Sequence, residues 1–239
     1  MTSETTSQQY LLKVFHKNDE QKQNPIAWLL LEKKENYQRY ESNGPIQQAS
    51  ITLAYRRIVP HLHREDRGQF EGGFKQTLDD DHAVSITSAH MGPGAVFLDL
   101  PGLESQRIGT YLISQIVAWV QQWPEATVDP VNLLEGQAQT EEEKTHRNEF
   151  YRQFGLEFDF EDPDKKAGQS KPIQAKDLKT VTKWSENIEE VSLYDFAANL
   201  LSSEEGLRQS VNRLVKERKW ADAHPVRCFW WRLRATLGV

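Results

Sequence analysis

One stretch of the chain, from Gly102 to Phe158, restricts the fold more than any other part of the sequence. An apolar run at residues 95–100 predicts a strand before it, and a turn at 101–107 leads into a helix that begins at Ile108. A tight turn into a helix leaves backbone N–H groups free at the positive end of the helix dipole, where they can bind phosphate. We therefore expect an anion-binding turn in this stretch.

The helix itself has a clear apolar face. Ile108, Leu112, Ile116 and Val120 follow the spacing of three and four residues that is typical of an amphipathic helix. Pro124 predicts its end, because the residue before a proline avoids the helical conformation. We expect a strand at 128–137 to follow this helix.

A second helix start lies at Thr140, with Glu143 three residues later, which is the pattern of a capping box. This helix should carry Phe150 and Tyr151 near its end and stop at Gly155, because glycine is favoured just after a helix. The alternating run at 156–160 then predicts a further strand.

The N-terminal half is expected to be rich in strands. Residues 1–8 are polar and predict a disordered tail, whereas runs at 10–15, 26–32 and 51–55 predict strands that pair as an antiparallel meander. Shorter strands are expected at 74–78 and 83–87.

The C-terminal part changes in character. A linker is expected at 162–171 and an edge strand at 173–178. Residues 192–219 read as helical, with a break near 202–203. We therefore expect three parts: a tail at 1–8, an α/β domain at 9–178 and a helical extension at 179–239.

Composition narrows the classes of function. The 239 residues carry a formal net charge of −6, which argues against a general nucleic-acid binder. The single cysteine, Cys228, cannot form an internal disulfide, so a reducing, cytoplasmic location is expected. No apolar run approaches the ~18 residues of a membrane span, and the polar N-terminus does not fit a signal peptide.

Two segments in the central stretch resemble motifs of the GNAT superfamily, the acyl-CoA-dependent N-acetyltransferases. Residues 104–113, Glu-Ser-Gln-Arg-Ile-Gly-Thr-Tyr-Leu-Ile, are similar to the family's pyrophosphate loop, Gln/Arg-x-x-Gly-x-Gly/Ala. Residues 150–158, Phe-Tyr-Arg-Gln-Phe-Gly-Leu-Glu-Phe, are similar to its closing motif, Phe-Tyr-x-x-x-Gly-Phe. With the strands around them, these segments cover about a quarter of the chain.

The loop can be aligned in two registers. If Gly109 is the last glycine, Glu104 replaces the usual Gln or Arg and Arg107 replaces the middle glycine; we prefer this register. If Gln106 occupies the first position of the motif, Gly109 is the middle glycine and Tyr111 occupies the last position, where the family has a small residue. In the first register, the Arg107 side chain stands where the backbone would approach the phosphate closely. Its guanidinium could compensate by pairing with that phosphate.

The resemblance implies a fold and a cofactor. The fold would be α/β (α+β), with a mixed, largely antiparallel sheet, a central parallel splay, flanking helices and a C-terminal helical extension. Acetyl-CoA would be the acyl donor. Its binding residues would be Phe97, Leu98, Asp99 and Leu100 on the strand, and Glu104, Ser105, Gln106, Arg107, Ile108, Gly109 and Thr110 at the loop and helix start.

The resemblance also implies direct transfer of the acetyl group to a primary amine of a small molecule or protein. Tyr151 matches the family tyrosine that protonates the leaving thiolate. Glu135 is our first candidate for the base that deprotonates the amine, and it is expected on a strand facing the splay. Glu65, Asp66, His63 and His90 are the alternatives.

Other functions remain open from the sequence. The chain could be a catalytically degenerate binding or regulatory protein on the same scaffold, or an acetyltransferase of a protein or aminoacyl-tRNA that docks through the C-terminal helices. A protein partner on those helices and a homodimer are both compatible with the sequence. His61 and His63 alternate along the chain, but no cysteine lies near them, so no metal site is expected.

Overall fold

A computed structural model describes residues 2–41, 44–60, 67–76, 81–87, 100–137 and 140–223, without the side chains of residues 217 and 220–222. The chain divides into two compact units, Met1–Val191 and Ser192–Val239. Residues 179–191, which we expected in the C-terminal extension, therefore belong to the first unit. The described fold is mixed α/β, with a large, mostly antiparallel sheet and three α-helices, as predicted at this level.

Among the described residues, the large sheet has seven strands, in the order β10-β1-β2-β3-β4-β5-β6. Strands β1 to β5 pair as an antiparallel meander, and β5 pairs with β6 in parallel through Ala83–Thr127 and Val84–Val128. The strands are β1 Thr2–Val14, β2 Ala27–Arg39, β3 Ile46–Val59, β4 Arg67–Gln76, β5 His82–Ser85, β6 Thr127–Val128 and β10 Ile188–Ser192.

The prediction of a disordered tail at 1–8 is wrong, because β1 begins at Thr2 and pairs with β2 along its whole length. Its polar residues gain cross-strand hydrogen bonds, such as Thr5 Oγ1 to Asn36 Oδ1 at 2.8 Å. Threonine is also β-branched and favours an extended backbone. Polarity alone therefore did not indicate disorder here.

Helix α1, Ile108–Val120, packs on the sheet as its apolar face predicts. Its Ile116 lies over Gly72 of β4: a Cβ added at Gly72 would come within 2.5 Å of the Ile116 Cγ2 atom. Alternate residues of β3 are buried, among them Ile51 and Leu53. The core of the first unit thus lies between the meander and α1.

The single strand predicted at 128–137 is wrong, because the chain passes from one sheet to another. Strand β6 ends at Val128, and Pro130, which has no N–H to give to a ladder, precedes the next strand. A small antiparallel sheet follows, built from β7 Asn132–Leu133, β8 Phe158–Phe160 and β9 Gly168–Ser170. The edge strand predicted at 173–178 is instead a 3₁₀ turn at Ala175–Asp177 beside a bridge from Gln174 to Thr127.

Helix α2, Glu141–Arg152, begins and ends as the sequence predicts. Thr140 and Glu143 form a complete capping box, in which each side chain accepts from the other's backbone N–H. Gly155 has φ +89, and a Cβ there would lie 3.2 Å from the Asp177 carbonyl oxygen. The positive φ and the close approach explain why a glycine stands after this helix.

The second unit contains helix α3, Leu193–Ala223. The predicted break near 202–203 is wrong, since the helix is continuous through both serines. None of the described helices is both long and apolar enough to cross a bilayer.

Candidate functional site

A cleft of about 490 Å³ opens between the N-terminus of α1 and the last turns of α2. One wall is the turn and helix start, Ser105 to Thr110. The other wall comes from α2 and its end. The lining residues are Phe70, Ser105, Gln106, Arg107, Ile108, Gly109, Thr110, His146, Arg147, Glu149, Phe150, Tyr151 and Gln153. Six residues predicted for the pyrophosphate loop, Ser105 to Thr110, thus line the same cleft as Tyr151.

The turn has an unusual backbone. Ser105 and Arg107 both adopt left-handed conformations, with φ 59 and φ 63. Arg107 is the N-cap of α1, and no side chain caps the helix. The first backbone N–H with a helical acceptor is that of Tyr111, which donates to the Arg107 carbonyl oxygen at 2.9 Å.

Three N–H groups precede this one. Within the described parts of the chain, those of Ile108, Gly109 and Thr110 have no hydrogen-bond acceptor. The first turn of α1 also carries no acidic side chain. The helix start therefore presents unpaired donors and the positive end of the helix dipole to the cleft, which suits an anionic ligand.

The turn is held in place by a buried amide, Asn187. Its Nδ2 donates to the backbone oxygens of Gln106, at 2.9 Å, and Phe15, at 3.1 Å. The Gln106 side chain accepts from the backbone N–H of Lys17 at 2.9 Å. These contacts tie the turn to the end of β1 and use the polar atoms of Gln106 for positioning.

The Arg107 side chain has a partner other than the predicted phosphate. Its Nη1 lies 2.6 Å from Glu186 Oε2 and also donates to the Lys183 carbonyl oxygen at 3.0 Å. Its positive charge is therefore compensated by a carboxylate. The left-handed backbone at 107, by contrast, is the conformation for which a glycine would be favoured, as the family pattern has at this position.

The α2 wall uses one face of that helix. His146, Glu149, Phe150 and Gln153 are spaced by three and four residues and all line the cleft. Gln153 Nε2 lies 3.4 Å from the Thr110 Oγ1 atom, across from the α1 start. Two residues of this face, His146 and Glu149, were not among the residues predicted from the sequence. Helical spacing counted from Phe150 would have found them.

Tyr151 is buried at the cleft, with 5% of its surface exposed. Burial raises the pKa of its phenol to about 12, and the nearby positive charge of Arg147 opposes that rise. The phenol is thus a proton donor at neutral pH. Tyr151 is one of the lining residues, and no hydrogen bond of its hydroxyl is found among the described residues.

Arg147 keeps its charge near the cleft. Its guanidinium donates to the carbonyl oxygens of Leu134, at 2.7 Å, and Lys166, at 2.9 Å, and to the Asn148 amide oxygen. All of these acceptors are neutral. The Asp162 carboxylate also interacts electrostatically with Arg147, and Glu149 lines the same wall, so Arg147 contributes one positive charge to a wall of mixed charge.

Glu135 does not reach the cleft. The prediction that it lies on a strand is wrong, because it begins a 3₁₀ turn at Glu135–Gln137 after the small sheet. Its side chain is 73% exposed and lies 3.7 Å from the Lys166 ammonium. Its proposed role as base stays a prediction without support from this geometry.

The remaining predicted residues divide into two groups. Leu100 is buried and forms part of a turn, and Glu104 accepts from the Gly102 N–H, which lowers the pKa of its carboxyl. Neither lines the cleft. Outside the described residues lie Phe97, Leu98 and Asp99 of the predicted pantetheine strand, and the alternative bases His63, Glu65, Asp66 and His90.

The described residues contain no group of three or more His, Cys, Asp or Glu side chains arranged to hold a metal ion. Comparisons of this chain with protein-family models, with curated proteins and with solved structures find no match. The interpretation of the cleft therefore rests on its own residues and on the two short motifs.

Proposed function

We propose that this protein is an acetyl-CoA-dependent N-acetyltransferase of the GNAT type, acting on a primary amine of a small molecule or protein. One observation carries the proposal: the two segments that resemble the family's motifs, 42 positions apart from Gly109 to Tyr151, line the same cleft. Residues this far apart in the sequence become neighbours only through the fold.

The electrostatics of the cleft support an acyl-CoA ligand. The unpaired N–H groups of Ile108, Gly109 and Thr110 suit a pyrophosphate, and the positive charge of Arg147 adds to the attraction. The volume of about 490 Å³ falls within the usual range of ~300–1,000 Å³ for ligand pockets. The pyrophosphate would lie at the α1 start and the thioester near Tyr151.

The chemistry would be a single displacement. The neutral amine nitrogen attacks the thioester carbonyl carbon, a C–N bond forms and the C–S bond breaks. The leaving sulfur takes the proton of the Tyr151 phenol, which its raised pKa keeps in place at neutral pH. The phenolate then recovers a proton from solvent, and the attacking nitrogen loses one to a base.

Two side chains at the cleft could take the amine proton, directly or through water. His146 and Glu149 are both exposed on the α2 wall, one helical turn apart. They replace Glu135 as our proposed bases, because Glu135 is not among the lining residues. His146→Gln and Glu149→Gln should separate them, since only the loss of the true base lowers kcat while acetyl-CoA binding persists.

The test is release of free thiol from acetyl-CoA in the presence of a panel of primary amines and lysine peptides. Tyr151→Phe should lower kcat by ~10²–10⁴-fold without loss of acetyl-CoA binding, because it removes only the proton donor. Tyr40→Phe, on an exposed residue beyond the end of β2, is the matched control and should leave kcat unchanged. Undiminished turnover by Tyr151→Phe would remove the proposed acid.

One observation favours a second function, a binding or regulatory protein on a degenerate GNAT scaffold. Arg107 replaces the middle glycine of the loop, and its guanidinium is occupied by Glu186 at 2.6 Å. A side chain there narrows the approach of a phosphate to the backbone. Calorimetry decides between the two: acetyl-CoA binding supports the enzyme, and its absence at saturating ligand supports the binding protein.

A further inference from the structure

Helix α3 carries leucines at a strict interval of seven residues. Leu193, Leu200, Leu207 and Leu214 are spaced in this way, and their exposed fractions are 40, 56, 68 and 59%. The helix spans 31 residues, about 46 Å at 1.5 Å per residue. Four leucines in a seven-residue repeat are typical of the d positions of a coiled coil.

The flanking a and e positions extend the apolar stripe, with three charged interruptions, Glu204 and Arg218 at a and Arg208 at e. With the leucines at d, the a positions are Ala197, Glu204, Val211 and Arg218. Exposed apolar residues at the e positions widen the stripe: Tyr194, Leu201 and Val215. A stripe of this size on one helix indicates a surface that binds another helix.

The two halves of α3 carry opposite charge. Residues 193–206 contain three acidic and no basic residues, a formal charge of −3. Residues 207–223 contain five basic and two acidic residues, a formal charge of +3. A second α3 that runs in the opposite direction would place each acidic half on a basic half.

We propose that α3 is a self-association element, which pairs with the α3 of a second copy of this chain as an antiparallel coiled coil. The two-fold axis passes between Glu205 and Gly206, because this alignment places each a position of one helix opposite a d position of the other. Leu200 then lies opposite the partner copy's residue 211, and Glu204 lies beside residue 208, an arginine.

The charged a positions argue against a parallel pair. In a parallel coiled coil each a residue meets its own copy, so that two Glu204 carboxylates and two Arg218 guanidinia would face each other within the seam. The antiparallel alignment removes both repulsions and gives Glu204 a partner of opposite charge twice per dimer. The charge pattern thus favours a second α3 helix as the partner and an antiparallel direction for it.

The mass of the full chain in solution is the first measurement. Sedimentation equilibrium over a wide range of concentrations should give a reversible monomer–dimer equilibrium, with a limiting mass of twice 27.7 kDa. Leu207→Asp, at the centre of the stripe, should leave the chain monomeric. A loss of at least ~100-fold in dimer affinity is expected, because two buried carboxylates would lack partners.

Charge reversal tests the direction. Glu204→Arg and Arg208→Glu should each give monomers, whereas an equimolar mixture of the two should dimerise, because each unlike pair is then restored across the interface. In a parallel pair, Arg208→Glu would dimerise as the wild type does. Glu205→Arg and Lys216→Glu make the same charge changes at b and f positions, outside the seam, and should both still dimerise.

Three results would overturn the proposal. A wild type that stays monomeric at every concentration has no self-association element. A monomer that sediments with vesicles of phosphatidylcholine and phosphatidylserine uses the stripe for a membrane surface instead. A dimer that Leu207→Asp does not weaken is formed elsewhere. None of these results bears on acetyl-CoA binding, so the proposed function would stand or fall separately.

Discussion

The N-termini of α1 and α2 are built in opposite ways. Helix α2 begins with a complete capping box between Thr140 and Glu143, and three glutamates occupy its first turn. Helix α1 begins at an arginine in a left-handed conformation, with no capping side chain and no acidic residue. The α2 start thus pairs the N–H groups of Thr140 and Glu143 with its own side chains, whereas no side chain caps the α1 start.

This difference indicates where an anion could bind. The carboxylates of the α2 start already interact with its N–H groups and dipole and would repel a phosphate. Ser105 and Arg107 both adopt a conformation that costs roughly 1–2 kcal/mol for a non-glycine residue. Such a cost is compatible with a functional turn held in shape by its surroundings, here by Asn187 and Glu186.

The largest expected effect concerns the phenol of Tyr151, which lines the same cleft as the α1 start. The pKa of Tyr151 is raised from 10.0 to about 12 by burial, so the unfolded chain ionises first as pH rises. The contribution of Tyr151 is therefore fully present below pH ~10 and is lost between pH ~10 and ~12, by about 2.7 kcal/mol for two pH units. Urea unfolding from pH 9 to 12 should show this fall in the wild type.

The variant Tyr151→Phe isolates this contribution, because it has no proton to lose at that site. Its free energy of unfolding should fall less steeply than that of the wild type by roughly the same 2.7 kcal/mol. Tyr40→Phe, which removes an exposed phenol outside α3, should retain the wild-type slope. Identical slopes for Tyr151→Phe and the wild type would show that burial does not hold the phenol neutral.

A substitution at Gly109 would make the α1 start resemble the α2 start. Gly109→Asp places a carboxylate in the first turn, at the position that corresponds to Glu142 in α2. A Cβ at Gly109 fits, since its nearest contact is Phe150 Cε2 at 3.5 Å. The ligand-free protein should gain about 0.3–1 kcal/mol in stability from the helix dipole.

Affinity for acetyl-CoA should change in the opposite direction. Gly109→Asp should weaken binding at least ~10-fold by calorimetry, because a like charge faces the pyrophosphate. Gly109→Asn has nearly the same shape without the charge and is the control; its affinity should stay within a few-fold of the wild type. Equal losses in the two variants would indicate a steric effect and no anion at the helix start.

The sequence indicated the residues of the cleft more completely than the position of Glu135. Ser105 to Thr110 were predicted because a turn and a helix start are local patterns, and Tyr151 because its segment resembles a family motif. Glu135 was misplaced because its strand ends two residues earlier, at Leu133. Long-range pairing decides which sheet a short strand joins, and the local sequence pattern does not predict that pairing.

The same limit applies to the fold. The meander, α1 and the α2 capping box follow from periodicity and capping residues. The first residues of β1 do not, because strand β2 supplies their partners, as Asn36 does for Thr5. Asn187 was also missed: a single polar residue in the sequence gives no sign that it will be buried and bonded to both Phe15 and Gln106.

The capping box of α2 gives a smaller, purely structural effect. Thr140→Ala should lower the free energy of unfolding by about 1 kcal/mol, since the Glu143 N–H loses its acceptor. Acetyl-CoA affinity should not change, because no residue in the first turn of α2 lines the cleft. Thr145→Ala, on the same helix, should not destabilise. A loss of binding in Thr140→Ala would mean that both helix starts serve the cleft.

The smallest effect is expected at Arg107, where the two helix starts differ most in sequence. Arg107→Gly relieves the left-handed backbone but loses the ion pair with Glu186, so its stability should stay within ~0.5 kcal/mol of the wild type. Arg107→Ala loses the same ion pair and keeps the strain, so it should be less stable than Arg107→Gly by roughly 1 kcal/mol.

Acetyl-CoA binding to the two variants then identifies the role of the Arg107 side chain. If the side chain only obstructs the backbone donors, both variants should bind acetyl-CoA more tightly than the wild type, and the glycine variant most tightly, because its turn keeps the native φ without strain. If the guanidinium leaves Glu186 for a phosphate, both variants should bind more weakly. A wild type and two variants that all fail to bind would show that the donors of the α1 start serve no CoA ligand, and the difference between the two helix starts would then be structural alone.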